Sequence, residues 1–432
     1  MEMPIDLEGA RQIQCADMHT SGEPTRIIYR GYPDLNGTLL EQSTQAQQKY
    51  DHIRKLLMLE PRGHADMYGA LIRPYTELTL HGEAHIGVLF LTGEGYSTMC
   101  GHATIALGRF LIDTHDKTIF PLRDSVPIDP TIDTATITLH APCGLVTVTV
   151  PVTPDGRKSD PSRPVSFLSV PSFVNSIDLN CPVSSEYVHG LHALIENTKE
   201  NVKASVAYGG AWYLLPKLWV DPKTRTPQLN LRNLALAAFD LKETFNNHPW
   251  IREAYCRFDK DNRNSESGYI FGTIITQPLS RTYDPSRNAD GADFGLNFFG
   301  KDQFDRSPCG SGIAAREAVA FARKERKIGQ RWAYHSLVSK AKGQGEMIAT
   351  IESECKRDGS EETGAVRVRI EGKAFYTGFA SYVVEGSDEI GKGFSLKDAE
   401  TAVNGRWTPD PTPPPAKGPL KRTHGEYIKG ER

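Results

Sequence analysis

Two cysteine-glycine pairs, Cys100-Gly101 and Cys309-Gly310, each lead directly into a stretch with the composition of a helix. A cysteine at a helix N-terminus experiences the positive end of the helix dipole and nearby backbone N–H donors, which favour the thiolate over the thiol. The same donors can hold a carboxylate. Two such cysteines, one from each half of a duplicated fold, could flank one carbon atom. This arrangement predicts acid–base chemistry on a small carboxylic acid.

The neighbours of each cysteine favour a reactive thiol over a structural one. Most cysteines in this chain are expected to be small buried hydrophobes, and that is the alternative for Cys100. Cys309 is followed by Gly310-Ser311-Gly312, which leaves the backbone N–H groups open to an approaching ligand. An anion-binding turn without acid–base chemistry is the alternative there. We predict that Cys100 and Cys309 are the catalytic pair.

The elements that must position the two cysteines recur in a similar order in the two halves of the chain. Apolar runs and helical periodicity predict strands, a helix, further strands and then a cysteine-led helix in each half. In the first half these are strands at 26–29, 67–72 and 86–91 and helices at 40–59 and 103–112; in the second, strands at 202–215 and 269–275 and helices at 231–245 and 313–327. We predict an internal duplication.

The bulk composition is that of an ordinary globular protein. The chain has 432 residues, 39% hydrophobic and 24% charged, so it is long enough for two domains. A net charge of −3 gives no global attraction to nucleic acid or anionic membranes, and no apolar run is long enough to span a bilayer. The acidic start lacks a secretory signal, and seven cysteines without a Cys-x-x-Cys motif favour a reducing compartment. We expect a cytoplasmic enzyme that does not bind nucleic acid or membrane; a homodimer is left open.

Four strings of the sequence, taken together, resemble one known enzyme family. They are His19-Thr20-Ser21-Gly22-Glu23-Pro24, Glu60-Pro61-Arg62-Gly63-His64-Ala65-Asp66-Met67-Tyr68-Gly69-Ala70, Met99-Cys100-Gly101-His102 and Ser307-Pro308-Cys309-Gly310-Ser311-Gly312. Each string alone is weak evidence, but their order makes a specific combination. With these strings the chain resembles the proline racemase family from about Asp17 to Glu385.

The resemblance implies an α+β fold of the diaminopimelate-epimerase-like type. Two similar lobes would each wrap a curled sheet around a central helix, with an imino acid substrate in the cleft between them and neither cofactor nor metal. The N-terminal lobe would cover 10–165, completed by a returning strand at 372–398, and the C-terminal lobe would cover 166–371. Segments 183–200 and 278–297 are predicted insertions, because they are largely polar and lack a strong period. The Pro-rich segment 402–432 is predicted to be disordered.

The family pattern also implies which residues would hold the substrate. His102 and Asp305 would contact the ring nitrogen, since a carboxylate can hold an ammonium and an imidazole can share its proton. Gly101, Gly310 and Ser311 would offer donors to the substrate carboxylate. Without the motifs, His102 would be interpreted as a buried histidine with its hydrogen bonds satisfied, and Asp305 as one partner of a surface salt bridge. Gly101, Gly310 and Ser311 would be interpreted as ordinary turn residues.

Other polar clusters are weaker candidates. The segment His81-Gly82-Glu83-Ala84-His85 has the histidine spacing of some zinc sites, but its central glycine and missing third ligand make a metal site a poor interpretation. His64 and Asp66, in the second family string, fit a structural role equally well. We leave them out of the predicted site.

Three activities compete within the family: proline racemase, hydroxyproline 2-epimerase and trans-3-hydroxy-L-proline dehydratase. The segments 94–110 and 207–211 are most similar to the dehydratase branch. Dehydratases typically carry threonine where this chain has Cys309, whereas racemases and epimerases carry cysteine. In a dehydration, Cys100 would remove the α-proton and Cys309, as a thiol, would protonate the leaving hydroxyl. We expect a dehydratase; the alternatives are a racemase or epimerase and, in another class, a silent binding protein on the same scaffold.

Overall fold

The computed structural model describes residues 11–182, 201–216, 231–247, 269–278, 289–300, 303–357, 363–385, 387–396 and 399–400. The predicted insertion 183–200 and the predicted tail 402–432 lie outside these residues. Within them, no helix is long and apolar enough to cross a membrane.

The first half of the described chain contains nine strands and three α-helices. The strands are β1 (Arg11–Thr20), β2 (Glu23–Arg30), β3 (Tyr68–Arg73), β4 (Ile86–Thr92), β5 (Tyr96–Ser97), β6 (Ile128–Asp129), β7 (Thr134–Ala141), β8 (Gly144–Pro151) and β9 (Val165–Leu168). The helices are α1 (Leu39–Met58), α2 (Glu77–Leu80) and α3 (Gly101–Asp113), with a 3₁₀ turn at Arg123–Ser125.

The second half repeats the same kinds of elements within the described residues. Its strands are β10 (Phe173–Pro182), β11 (Asn201–Tyr208), β12 (Trp212–Pro216), β13 (Ile270–Pro278), β14 (Gly291–Gly300), β15 (Gln303–Phe304), β16 (Arg331–His335), β17 (Met347–Cys355), β18 (Ala365–Gly372) and β19 (Ala374–Val384). Its helices are α4 (Leu231–Asn247), α5 (Gly310–Ala322) and α6 (Leu337–Lys342), with a 3₁₀ turn at Ile390–Lys392.

Strand pairing confirms the α+β fold and shows the predicted duplication. In the first half β1–β2, β3–β4, β7–β8 and β8–β9 are antiparallel, while β2–β3 and β4–β7 are parallel. The second half has the same series, with β11–β12, β13–β14, β16–β17 and β17–β18 antiparallel and β12–β13 and β14–β16 parallel. In each half a helix follows the second strand of this series, and the cysteine-led helix follows the fourth.

Two pairings join the halves into one sheet. Strand β9 pairs with β8 on one side and with β18 on the other. After β18 the chain returns to the first half, where β19 pairs with β1 from Arg11 to Thr20. The exact lobe bounds stay a prediction, since β9 belongs to both halves by its hydrogen bonds.

The cysteine-led helices lie at the centre of each half. Every residue from Gly101 to Ile112 in α3 and from Gly310 to Ala320 in α5 is buried. A helix that is enclosed on all sides is favoured by small or apolar residues around its circumference, and both helices consist mainly of such residues. Because the helices are held on all sides, their N-terminal residues have fixed positions.

Two predictions of local structure are wrong. Residues 279–288 of the predicted insertion 278–297 lie outside the described residues, but the rest contains the end of β13 and most of β14, whose residues are nearly all buried. Strand β14 is enclosed on both faces, so it lacks the polar–apolar alternation of a half-exposed strand. The predicted helix 313–327 is α5, which begins earlier, at Gly310, and ends at Ala322; Lys324 then takes a left-handed conformation, with φ 61°.

Candidate active site

The N-termini of α3 and α5 meet at two glycines. A Cβ atom added to Gly101 would lie 2.6 Å from the Cα of Gly310, and one added to Gly310 would lie 2.8 Å from the Cα of Gly101. Either added Cβ would also lie 3.1 Å from Cζ of Phe167. Only glycine allows this approach, which brings Cys100 and Cys309, each one residue before its helix, to the same place.

Replacing Gly101 with alanine is therefore expected to push the two helix ends apart. The contact is with backbone on the opposite helix, which cannot rotate away, so we expect a loss of about 1–3 kcal/mol in the free energy of unfolding together with a large loss of activity. Urea unfolding and steady-state kinetics measure the two effects. Gly95→Ala is the control, since a Cβ there meets nothing within 4 Å. If Gly101→Ala and Gly95→Ala had the same stability and the same activity, the close contact between the two helix ends would be contradicted.

Cys100 lies against the His102 imidazole. Its Sγ is 3.4 Å from Nδ1 and 3.5 Å from Nε2 of that ring. The ring packs edge-to-face on Tyr68, with centroids 4.7 Å apart, and the Thr20 hydroxyl donates to the His102 carbonyl at 2.8 Å. Burial lowers the pKa of His102 to about 3, so the imidazole is neutral and can accept a hydrogen bond from the thiol.

Cys309 has a different set of partners. The Asn297 side-chain amide donates to its Sγ at 3.2 Å, and the same Sγ lies 3.5 Å from the Tyr213 hydroxyl oxygen. That hydroxyl is in turn 2.7 Å from the hydroxyl of Ser311. Cys309 also has φ 68°, a conformation that non-glycine residues adopt at a cost and that occurs mainly where the surroundings impose it. The two cysteines are therefore alike in position but unlike in their hydrogen bonds.

Asp305 is a buried carboxyl group directly beside Cys309. It is 3% exposed and accepts a hydrogen bond from the Ser307 backbone N–H at 2.8 Å. Burial raises its pKa to about 6, against the opposing effect of hydrogen bonds from Ser307 and Cys309. The surface salt bridge considered from the sequence is excluded by this burial. Asp305 can hold a cationic nitrogen above about pH 6 in the buried region around the N-termini of α3 and α5, the active-site chamber.

Burial outweighs the helix ends in setting the thiol pKa values, contrary to the sequence-based expectation. It raises the pKa of Cys100 well above its usual range, although the Ala103 N–H acts in the opposite direction. Burial and then the Asp305 carboxylate raise the pKa of Cys309. Both residues are 4% exposed. In the closed chamber both thiols are therefore protonated, and ionising one of them requires a nearby base or the positive charge of a ligand.

The chamber has a polarity that fits an amino acid zwitterion. Carboxyl, thiol and phenol groups lie close enough together for several of them to raise one another's pKa. The acidic groups are Glu23, Tyr68, Cys100, Tyr213, Asp305 and Cys309. A cationic nitrogen would relieve this concentration of acidic groups, while the N–H groups at the start of α3 and α5 can hold a carboxylate.

The structure brings all seven predicted site residues to this meeting point of the two helices. Cys100, Gly101 and His102 come from the start of α3, Cys309, Gly310 and Ser311 from the start of α5, and Asp305 from the preceding loop. Their roles in substrate binding and catalysis stay predictions.

The two residues left out of the predicted site lie in an outer cavity of about 690 Å³. His64 and Asp66 both line it, together with Arg306. Asp66 forms an ion pair with Arg306 at 2.7 Å. This pair connects the segment before β3 with the loop that carries Asp305, so it joins the two halves at the rim of the chamber.

Sequence reasoning missed four residues of the chamber. Tyr68 and Glu23 stand within the family strings but carried no chemical signal of their own. Tyr213 was an unremarked member of a predicted strand. Asn297 lay in the segment wrongly predicted to be an insertion, and recognising β14 as a buried strand would have been the signal to find it.

Comparison with known proteins adds an independent observation. The family model described as proline racemase matches residues 15–395. The chain belongs to the proline racemase family. The human protein named trans-3-hydroxy-L-proline dehydratase is 37% identical over 402 residues, which cover 91% of this chain and 98% of that protein. The proline racemase of Clostridioides difficile is 28% identical over 391 residues, covering 90% and 99%.

A solved structure of the family has the same fold. The hydroxyproline epimerase from Agrobacterium vitis, with bound trans-4-hydroxy-L-proline, superimposes with a TM-score of 0.67 at 21% identity. The match covers 90% of this chain and 96% of that structure. At this identity the likeness establishes the diaminopimelate-epimerase-like fold, and the reaction has to be argued from the site and the closer relatives.

Proposed function

We propose that this chain is a cofactor-independent lyase that converts trans-3-hydroxy-L-proline to 1-pyrroline-2-carboxylate and water. The observation that carries the proposal is the 37% identity to the human dehydratase over nearly the whole length of both chains, against 28% to the proline racemase. Cys100 and Cys309 lie where the two helix N-termini meet, a position consistent with removing an α-proton and protonating a leaving group.

Substrate binding follows from the polarity of the chamber. The substrate carboxylate would lie at the N-termini of α3 and α5, where backbone N–H groups point into the site. The ring ammonium would lie beside Asp305. These two contacts fix the ring, so that its α-carbon lies between Cys100 and Cys309. Fixing the reacting atoms in this way can supply a large part of the rate enhancement.

Cys100 and Cys309 have different hydrogen-bond partners, so we expect the two thiols to have different roles in the reaction. The cationic ring nitrogen of the bound substrate favours ionisation of Cys100, whose proton passes to solvent, and the neutral His102 imidazole orients the sulfur. The Cys100 thiolate then removes the α-proton of the substrate. The thiol of Cys309 donates its proton to the departing 3-hydroxyl, which leaves as water. The carbon–oxygen electron pair leaves with that oxygen, and the ring enamine tautomerises to the imine. Proton exchange with solvent then restores both thiols.

A second candidate is inversion at the α-carbon, as in a proline racemase or 4-hydroxyproline 2-epimerase. The observation that favours it is Cys309 itself, since each of the two matching helices begins after a cysteine. In inversion one thiolate would remove the α-proton and the opposite thiol would return a proton to the other face. The Asp305 carboxylate raises the pKa of both thiols, so it does not by itself favour one direction of inversion over the other.

Incubation in D₂O separates the two candidates. The protein is offered L-proline, trans-4-hydroxy-L-proline and trans-3-hydroxy-L-proline in separate reactions. We expect the 3-hydroxy compound to give a cyclic imine that borohydride reduces to proline, and the other two to gain no deuterium at the α-carbon. Deuterium incorporation into L-proline with loss of optical rotation, and no imine from the 3-hydroxy compound, would overturn the proposal in favour of inversion.

A further inference from the structure

Glu23 is a buried carboxyl group that the proposed reaction does not use. It is the first residue of β2 and is fully buried. Its Oε2 accepts the backbone N–H of Arg306, whereas its Oε1 has no hydrogen-bond partner although it is buried. An unpartnered oxygen in the interior is costly, so this carboxyl group requires an explanation.

The side chain facing Glu23 across the boundary between the two halves is Asp305. Each lies close enough to influence the ionisation of the other, and Arg306 is the described cationic residue that interacts with both. The Arg306 guanidinium is already engaged, with Asp66 at 2.7 Å and the Phe304 carbonyl at 2.9 Å. Two buried carboxylates with so little compensation cannot both be ionised, so one of the pair holds a proton.

The hydrogen bonds decide which carboxyl group is ionised. Asp305 accepts the Ser307 N–H and interacts with the Cys309 thiol, both of which stabilise its anion. Glu23 accepts only the Arg306 N–H, and burial followed by the Asp305 charge raises its pKa well above the usual range. Glu23 is therefore the neutral partner, and its remaining oxygen can carry the proton.

We propose that Glu23 is a positioning residue of this active site, a neutral carboxylic acid whose O–H donates a hydrogen bond to the Asp305 carboxylate and so holds Asp305 ionised for the ring ammonium. The inference rests on the proposed function only in taking a cyclic imino acid as the ligand. It applies equally to the inversion reaction, so the two proposals can fail separately. Glu23 acts through Asp305 and does not itself contact the substrate.

The test is the pH dependence of kcat/KM in Glu23→Gln and Glu23→Ala. Glutamine keeps an oxygen for the Arg306 N–H and places a neutral N–H donor toward Asp305, so its acid limb should stay near that of the native protein, close to pH 6. Alanine removes the donor, which makes ionisation of Asp305 harder. Its acid limb should move up by about one pH unit, and KM should rise about tenfold at pH 6 but much less at pH 8.

Several other ionisable groups face this carboxyl pair. They are Asp66, Tyr68, Cys100, Tyr213, Arg306 and Cys309. These groups are present in the native protein and in both Glu23 variants, so the comparison of the three pH profiles isolates the contribution of Glu23. Thermal unfolding identifies an alanine variant that has lost its fold, and in that case the glutamine variant alone decides.

Two results would overturn the inference. A downward shift of the acid limb in Glu23→Gln would mean that Glu23 is ionised in the native protein, since removing its charge would then ease ionisation of Asp305. No change of the pH profile in a folded Glu23→Ala would mean that Glu23 only fills space. Failure of the proposed function is seen separately, in the native protein, as turnover of a different imino acid; the pH comparison is then made with that substrate.

Discussion

Replacing Cys100 with alanine is expected to lower kcat/KM for trans-3-hydroxy-L-proline by about 10²–10⁴-fold, the usual contribution of a positioned general base. Cys100 is the side chain placed both at the start of α3 and against the His102 imidazole. The His102 imidazole, with a pKa of about 3, is too weak a base to take the place of the thiolate. Steady-state formation of the imine measures the loss.

The control for this experiment is Cys355→Ala. Cys355 is a partly buried cysteine at the end of β17 and takes no part in the chamber, so its replacement should leave kcat/KM unchanged. Thermal unfolding of both variants separates loss of catalysis from loss of fold. Retention of more than a tenth of native activity in a folded Cys100→Ala would show that another group removes the proton.

Replacing Cys309 with threonine is expected to abolish any racemisation of L-proline and to leave dehydration largely intact. Inversion needs a group on the second face that can exist as an anion and return a proton, and an alcohol cannot supply the anion near neutral pH. Dehydration needs only a proton donor for the leaving hydroxyl, which the threonine hydroxyl can be. Polarimetry with L-proline and imine formation from the 3-hydroxy compound follow the two reactions.

The backbone at this position complicates the threonine variant and calls for a second one. Cys309 has φ 68°, and a β-branched residue is more strained there than an unbranched one. Cys309→Ser keeps a hydroxyl without the branch, so it should dehydrate the substrate at least as well as the threonine variant and unfold at a higher temperature. Loss of dehydration in the folded serine variant would contradict the role of Cys309 as a simple proton donor.

The cysteine pair and the fold were predictable from the sequence because their signals are local. A cysteine followed by glycine and then by an alanine-rich stretch specifies a helix start, and it occurs twice. The predicted strands from 67–72 and 86–91 are present as β3 and β4. In each case a continuous apolar run belongs to a strand buried on both faces, and length distinguishes it from a helix.

The parts that were missed depend on what surrounds a residue in three dimensions. Asn297 lies on β14, which carries polar residues and glycines on an enclosed strand, so the sequence indicated a loop. The direction of the thiol pKa shifts was wrong because the helix ends are visible in the sequence, whereas the extent of burial is a property of the closed chamber. Glu23 and Asp305 lie 282 residues apart, and only the folded chain brings their carboxyl groups together.

The most direct measurement is a crystal structure with pyrrole-2-carboxylate, an aromatic acid whose α-carbon is planar like that of the carbanion. The account predicts the ring between the two lobes, with Sγ of Cys100 and Sγ of Cys309 on opposite faces of the α-carbon at about 4 Å. Its carboxylate should lie on the backbone N–H groups of Gly101 and Gly310. A ring bound with both sulfur atoms on one face, or bound outside the meeting point of the two helices, would contradict it.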